Sequence, residues 1–119
     1  MERVARLQAA GLPAVLTGDF NDNPDSEPYR IFGENGFADS FLAAGNRDGA
    51  DSTFHGFEGA GYDPLRWGGD EPFWRVDWIL TRDGARRVET RDCAIVRDAE
   101  PPAYPSDHYP VVADVLLVD

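Results

Sequence analysis

At 119 residues the chain has the length of one domain, enough to bury a core but short for a large two-sheet enzyme. Its 42% hydrophobic and 12% aromatic residues exclude a disordered chain despite 9 Pro and 12 Gly. The formal charge of −11 opposes attraction to a phosphate backbone and argues against duplex DNA as a partner, while the surplus of carboxylates serves either solubility or a site that concentrates divalent cations.

In the opening MERVARLQAAG, Val4, Leu7 and Ala10 recur at helical spacing before Gly11 and Pro13, which predicts a short helix with a glycine stop. This charged, amphipathic start does not read as a signal peptide, and no apolar stretch approaches the roughly 20 residues of a membrane span, so a cytoplasmic setting without a membrane span is the expectation. Ala14 to Asp19 is a continuous apolar run that ends at Gly18 and predicts a buried strand. Asn23-Pro24 turns the chain, and Ser26 is the candidate cap of a helix from about Glu27 to Glu34, ended by Asn35-Gly36. A second short helix is expected over Asp39 to Ala44, and the Gly-, Asp- and Pro-rich stretch from Gly45 to Pro72 is expected to be mostly loop around a short apolar island at Thr53-Phe54.

WRVDWILT, residues 74 to 81, alternates Trp74, Val76, Trp78 and Leu80 on one face with Arg75, Asp77, Ile79 and Thr81 on the other, the pattern of a strand. Asp83-Gly84 predicts a hairpin turn into a further strand over about Arg87 to Arg97. That strand holds Cys93, whose status as the single cysteine excludes an internal disulfide and a cysteine-based zinc site. Pro101, Pro102 and Pro105 exclude regular structure before Ser106, and a last strand spans about Pro110 to Val118. The order of helix, strand, helices and then several strands predicts an α+β or layered α/β arrangement, with one mixed or antiparallel sheet and its helices on one face.

Three stretches put acidic or imidazole groups at the end or on one face of an apolar strand: GDFND at 18 to 22, VDW at 76 to 78 and SDH at 106 to 108. Each alone has a plain structural explanation. Asp and Asn after a strand are ordinary turn chemistry, Asp77 could pair with Arg75, and Ser106-Asp107 could be a turn beside a surface His108. Together they carry a different meaning, because strand ends from distant segments can converge in one pocket. Two or three carboxylates, an Asn and a His, with no nucleophilic Ser or Cys, suit metal-assisted attack of water on a phosphoester. Hard carboxylate oxygens point to Mg²⁺ or Mn²⁺.

VLTGDFND, WRVDWIL and YPSDHYPVVADV resemble, in the same order, the C-terminal motifs of the endonuclease/exonuclease/phosphatase superfamily, which includes type I deoxyribonuclease, abasic-site endonucleases, neutral sphingomyelinases and inositol-polyphosphate phosphatases. The resemblance covers roughly residues 3 to 117, and STFHGF at 52 to 57 is similar to a segment of many prokaryotic members. It implies that Asp19 holds and helps deprotonate the attacking water or assists the leaving group, and that Asn21 hydrogen-bonds the phosphate. It further implies that Asp77 orients the imidazole, that His108 contacts the scissile phosphate, and that Asp107, with Asp19, serves the metal. His55 and Trp74 are the candidate substrate contacts, with Trp67 and Phe73 beside Trp74 able to flank a sugar, base or lipid head group.

Members of that superfamily are four-layered αββα sandwiches of about twice this length. The resemblance therefore implies half of such a sandwich, with the N-terminal half, which supplies an Asn, a metal-binding Glu and a further His or Tyr, as the missing partner. The expectation is a fragment of a metal-dependent phosphoester hydrolase acting on a small phosphodiester or phosphomonoester, with the isolated chain inactive or nearly so. The alternative is a non-catalytic module that binds a partner through its uncovered sheet face. A calcineurin-like phosphatase is disfavoured because neither its Asp-x-His nor its Gly-Asn-His-Asp/Glu motif is present.

Overall fold

The computed structural model describes residues 2–49, 52–65 and 74–119. Helix α1 spans Glu2–Ala9. It closes as its sequence predicts: Gly11 adopts φ 70°, and Gly11 N–H and Leu12 N–H donate to the carbonyls of Gln8 and Leu7 at 2.9 and 3.1 Å. A residue with a Cβ would strain that left-handed turn. Strand β1 (Ala14–Asp19) and helix α2 (Glu27–Glu34) match the expected bounds. Ser26 occupies the N-cap position of α2, but its hydroxyl makes no capping bond. Helix α3 is Ser40–Ala43, and Asp39 caps it by accepting the Phe41 amide at 3.0 Å.

The class is α+β as expected, but the strands divide into two antiparallel sets instead of one sheet. The first has the order β1-β3-β2, with β2 at Ala38–Asp39 and β3 at Asp77–Arg82; the second pairs β4 (Arg87–Ile95) with β5 (Val111–Val118). Asp83-Gly84 therefore does not close a β3–β4 hairpin. Both edges of β3 are already occupied, by β1 and β2, so the chain leaving it has no edge left to fold back on. It turns instead against the α1–β1 corner, where Ala85 N–H donates to the Gly11 carbonyl at 2.7 Å.

β3 also begins later than the alternation suggests. Trp74 lies outside the ladder because its carbonyl accepts from the Thr53 amide at 3.0 Å and its amide donates to Asn23 Oδ1 at 3.0 Å, while the Val76 carbonyl still accepts the Phe20 amide at 2.9 Å beyond the end of β1. Arg75 does not pair with Asp77. It is 1% exposed and forks to Asp39 at 2.6 and 3.1 Å and to Asp48 at 2.6 and 3.1 Å, while Tyr29 Oη donates to Asp39 at 2.7 Å.

The core forms on the face of β3 that carries Trp78 and Leu80, with Phe37 and, packed around them, Val4, Leu16, Phe20, Tyr29 and Phe32 from α1, β1, α2 and their connections. The register sets Leu16 opposite Leu80 and Gly18 opposite Trp78, so the alternate positions, including Asp19 and Asp77, project from the other face. Between Gly45 and Leu65 the described residues hold one 3₁₀ turn, Gly59–Gly61, and a single bridge that pairs Phe54 with His108. Trp67 and Phe73 lie outside the described residues.

Candidate functional site

β1 and β3 end together, and their register sets Asp19 directly opposite Asp77. Two like charges facing each other across a ladder repel unless a donor or cation lies between them. His108 fills that role: its Nδ1 lies 2.8 Å from Asp77 Oδ2 and its Nε2 3.8 Å from Asp19 Oδ2. The ring arrives on a segment tied to STFHGF. Phe54 bridges His108, His55 N–H and Gly56 N–H donate to the Asp107 carbonyl at 2.8 and 3.1 Å, and Tyr109 N–H donates to the Thr53 carbonyl at 2.7 Å. Asp77 is anchored from the same segment, its amide donating to Thr53 Oγ1 at 3.2 Å.

An ionised carboxylate can only accept, so His108 donates its Nδ1–H to Asp77 and directs Nε2 toward Asp19 and open space. That space is a cleft of about 360 Å³ whose walls include Thr17, Gly18, Asp19, Asp77, Ser106 and His108. Burial alone would lower the His108 pKa, but the hydrogen bond and charge of Asp77, joined by the charges of Asp19 and Asp107, outweigh it and raise the value. The cleft thus favours an imidazolium, a cationic donor beside two carboxylates.

The remaining candidates are dispersed around this cluster. Asn21 is exposed at φ 50°, a conformation Asn tolerates, and its main-chain N–H donates to Asp19 Oδ1 at 2.8 Å, so it belongs to the turn that presents Asp19. Asp107 is outside the three-residue group and acts on His108 through its charge and its main chain. His55 is 1% exposed and lies on the far side of the Phe54–His108 bridge, because neighbouring residues of an extended segment point to opposite faces. There it stacks on Tyr109 at 4.1 Å, accepts the Gly59 amide on Nδ1 at 3.2 Å, and lines a separate cavity of about 240 Å³; its burial lowers its pKa. Trp74 lines neither cavity and serves through its main chain, while its Nε1 is buried without a hydrogen-bond partner among the described residues. Thr53 and Asn23, which tie the approach to β3 in place, are the residues that sequence reasoning missed. Thr53 sits inside STFHGF, and Asn23 directly follows GDFND, where its sequence context reads only as a turn before Pro24.

Ligand atoms of Asp19, Asp77 and His108 lie within 4.8 Å of one another, close enough to hold one ion. The fit to a hard divalent cation is through Asp19. Its carboxylate is half exposed, whereas Asp77 Oδ2 is engaged by the imidazole and a nitrogen ligand suits such a cation poorly. Mg²⁺ sites commonly use one or two carboxylates, with water and phosphate oxygens completing the shell.

A model of the Endonuclease/Exonuclease/phosphatase family matches residues 1–108. No curated protein matches the chain. Among solved structures it is similar to a mannosyl-6-phosphatase of Bacteroides thetaiotaomicron VPI-5482, with TM-score 0.70 and 24% identity over 97% of this chain and 42% of that one. An endonuclease/exonuclease/phosphatase family protein from Bacteroides thetaiotaomicron gives TM-score 0.71 and 25% identity over 99% and 42%. A functionally unknown conserved protein from Enterococcus faecalis V583 gives 0.66 and 21% over 97% and 41%. The chain thus spans about two fifths of the length of these structures. With the family model covering both the GDFND turn and the SDH segment, and with the same fold in the solved structures, the chain belongs to the endonuclease/exonuclease/phosphatase family.

Proposed function

We propose that this chain supplies the imidazole and carboxylate part of a divalent-metal-dependent phosphoester hydrolase. The family as a whole acts on phosphoesters, and the observation that carries the reading here is the Asp77–His108–Asp19 constellation at 2.8 and 3.8 Å in an open cleft. Water attacks phosphorus, a P–O bond forms to it, and the bond to the leaving alkoxide breaks. Asp19 accepts a proton from the water or handles the leaving group, as an exposed carboxylate can. His108, oriented by Asp77, presents Nε2 as a cationic donor to a phosphoryl oxygen, and the Asn21 side-chain carboxamide donates to another. A bound Mg²⁺ or Mn²⁺ would neutralise charge on those oxygens, with Asp19 the carboxylate that fits it and Asp107 the further one that the family resemblance offers.

The test is release of p-nitrophenol from p-nitrophenyl phosphate and its bis ester, with and without Mg²⁺ or Mn²⁺, by the longest natural form of the protein. Turnover should need the metal, and His108→Ala should lower it by about 10²–10⁴-fold. Turnover that survives chelation, or that Asp19→Ala and His108→Ala leave intact, would refute the reading. A small substrate follows from the acidic balance, and a sugar monophosphate is the first to assay given the mannosyl-6-phosphatase among the fold neighbours.

The second reading, a non-catalytic module, draws on β5, where Val112, Val115, Leu116 and Leu117 are 54%, 39%, 43% and 41% exposed. Val112 and Leu116 share one face of the strand and Val115 and Leu117 the other, and exposed apolar side chains in such numbers suit a protein partner. Partner binding that needs no metal and is indifferent to His108→Ala, in a protein without turnover, would favour it.

A further inference from the structure

Thr53 lines neither the catalytic cleft nor the cavity behind it and is fully buried, yet it touches both members of the Asp77–His108 pair's framework. Its Oγ1 accepts the amides of Val76 at 3.0 Å and Asp77 at 3.2 Å. Its own amide donates to the Trp74 carbonyl at 3.0 Å, and its carbonyl accepts the Tyr109 amide at 2.7 Å. One residue therefore spans from the segment leading into β3 to the segment carrying the histidine. Trp74 and Arg75 run outside the sheet ladder, and the Val76 carbonyl accepts the Phe20 amide at 2.9 Å, so the Thr53 hydroxyl, which holds the Val76 and Asp77 amides, fixes the start of β3 together with the end of β1.

The chemistry of the contact is restrictive. A hydroxyl oxygen has two acceptor sites, and both are used by backbone donors, so the side chain cannot turn without leaving buried amides unpaired. The β-branch limits χ1 further. The residue after it continues the same clamp, Phe54 pairing with His108 while His55 and Gly56 hold the Asp107 carbonyl. The geometry points to Thr53 as a positioning residue that sets the Asp77–His108 hydrogen bond and, through it, the direction of Nε2 into the cleft. Its kinetic consequence rests on the hydrolase reading; its effect on the hydrogen bond does not.

Thr53→Val keeps the shape and deletes the acceptor, while Thr53→Ser keeps the acceptor and deletes a methyl group. The experiment compares both with the wild type by proton NMR of the His108 Nδ1–H resonance and by kinetics on p-nitrophenyl phosphate with Mg²⁺. The valine variant should lose or move that resonance and lower kcat by about 10–100-fold, with KM changed by less than about twofold, as expected for a misplaced group that does not bind substrate. Serine should restore both. If the valine variant does not fold, Thr53→Cys, whose sulfur accepts only weakly, carries the same comparison. A valine or cysteine variant of lowered thermal stability that keeps the wild-type resonance and kcat would overturn the inference and show a purely structural residue. A resonance lost in the variant of a protein that never turns over substrate would overturn the hydrolase reading and leave the positioning role standing.

Discussion

His108 reports on its surroundings through its titration. Because Asp77 first, then Asp19 and Asp107, outweigh the effect of burial, the folded state prefers the imidazolium and the folded pKa lies above the ordinary 6.5. The stabilisation from this preference is fully present below 6.5 and is lost as pH rises through the folded value. Asp77→Asn removes the main cause. The variant should therefore melt below the wild type by more at about pH 6 than at about pH 9, and its His108 Cε1 proton should titrate lower in NMR. An equal deficit at both pH values would show that the Asp77 charge does not set the equilibrium. His55 has the opposite sense. Buried and held neutral, it contributes stability above 6.5 that is lost as pH falls below that value.

The approach to β3 depends on an ion cluster as much as on its apolar face. Arg75 joins Asp39 at the start of α3 to Asp48 and lies 4.5 Å over the ring of Phe41, so its loss strands a buried carboxylate. Arg75→Ala should cost roughly 3–5 kcal/mol in urea unfolding, whereas replacing the whole set by apolar residues of similar volume should cost far less. At the other end of β3, Gly84 sits against the α1–β1 corner, where a Cβ would meet the backbone of Leu12 and Pro13. Backbone cannot move aside as a side-chain tip can. Gly84→Ala should then destabilise by about 1–3 kcal/mol and shift the amide resonances of residues 11 to 13; a neutral substitution would mean that the corner is looser than its contacts imply.

For this chain as a whole, the charge of −11, from 22 acidic against 11 basic residues, opposes the exchange of condensed counterions on which duplex binding depends. Duplex DNA should show no binding tighter than about 10⁻⁴ M at physiological salt, and tight binding with a steep salt slope would contradict the small-substrate proposal. No helix among the described residues is long and apolar enough to cross a membrane. The sequence by itself determined β1, α2 and β5 to within a residue, since each is an apolar run or periodic stretch bounded by Gly, Pro or Asn whose backbone preferences act locally. It also singled out Asp19, Asp77 and His108, because acidic and imidazole side chains at strand ends stand out without any coordinates. Only the tertiary structure decided that β4 turns away from β3 to pair with β5, that Arg75 reaches back to Asp39 and Asp48 and not to its neighbour Asp77, and that His55 faces away from the cleft. Those outcomes depend on which strand edges are already occupied and on which face a side chain takes, and both draw on partners far along the chain, such as Asp48, 27 residues from Arg75.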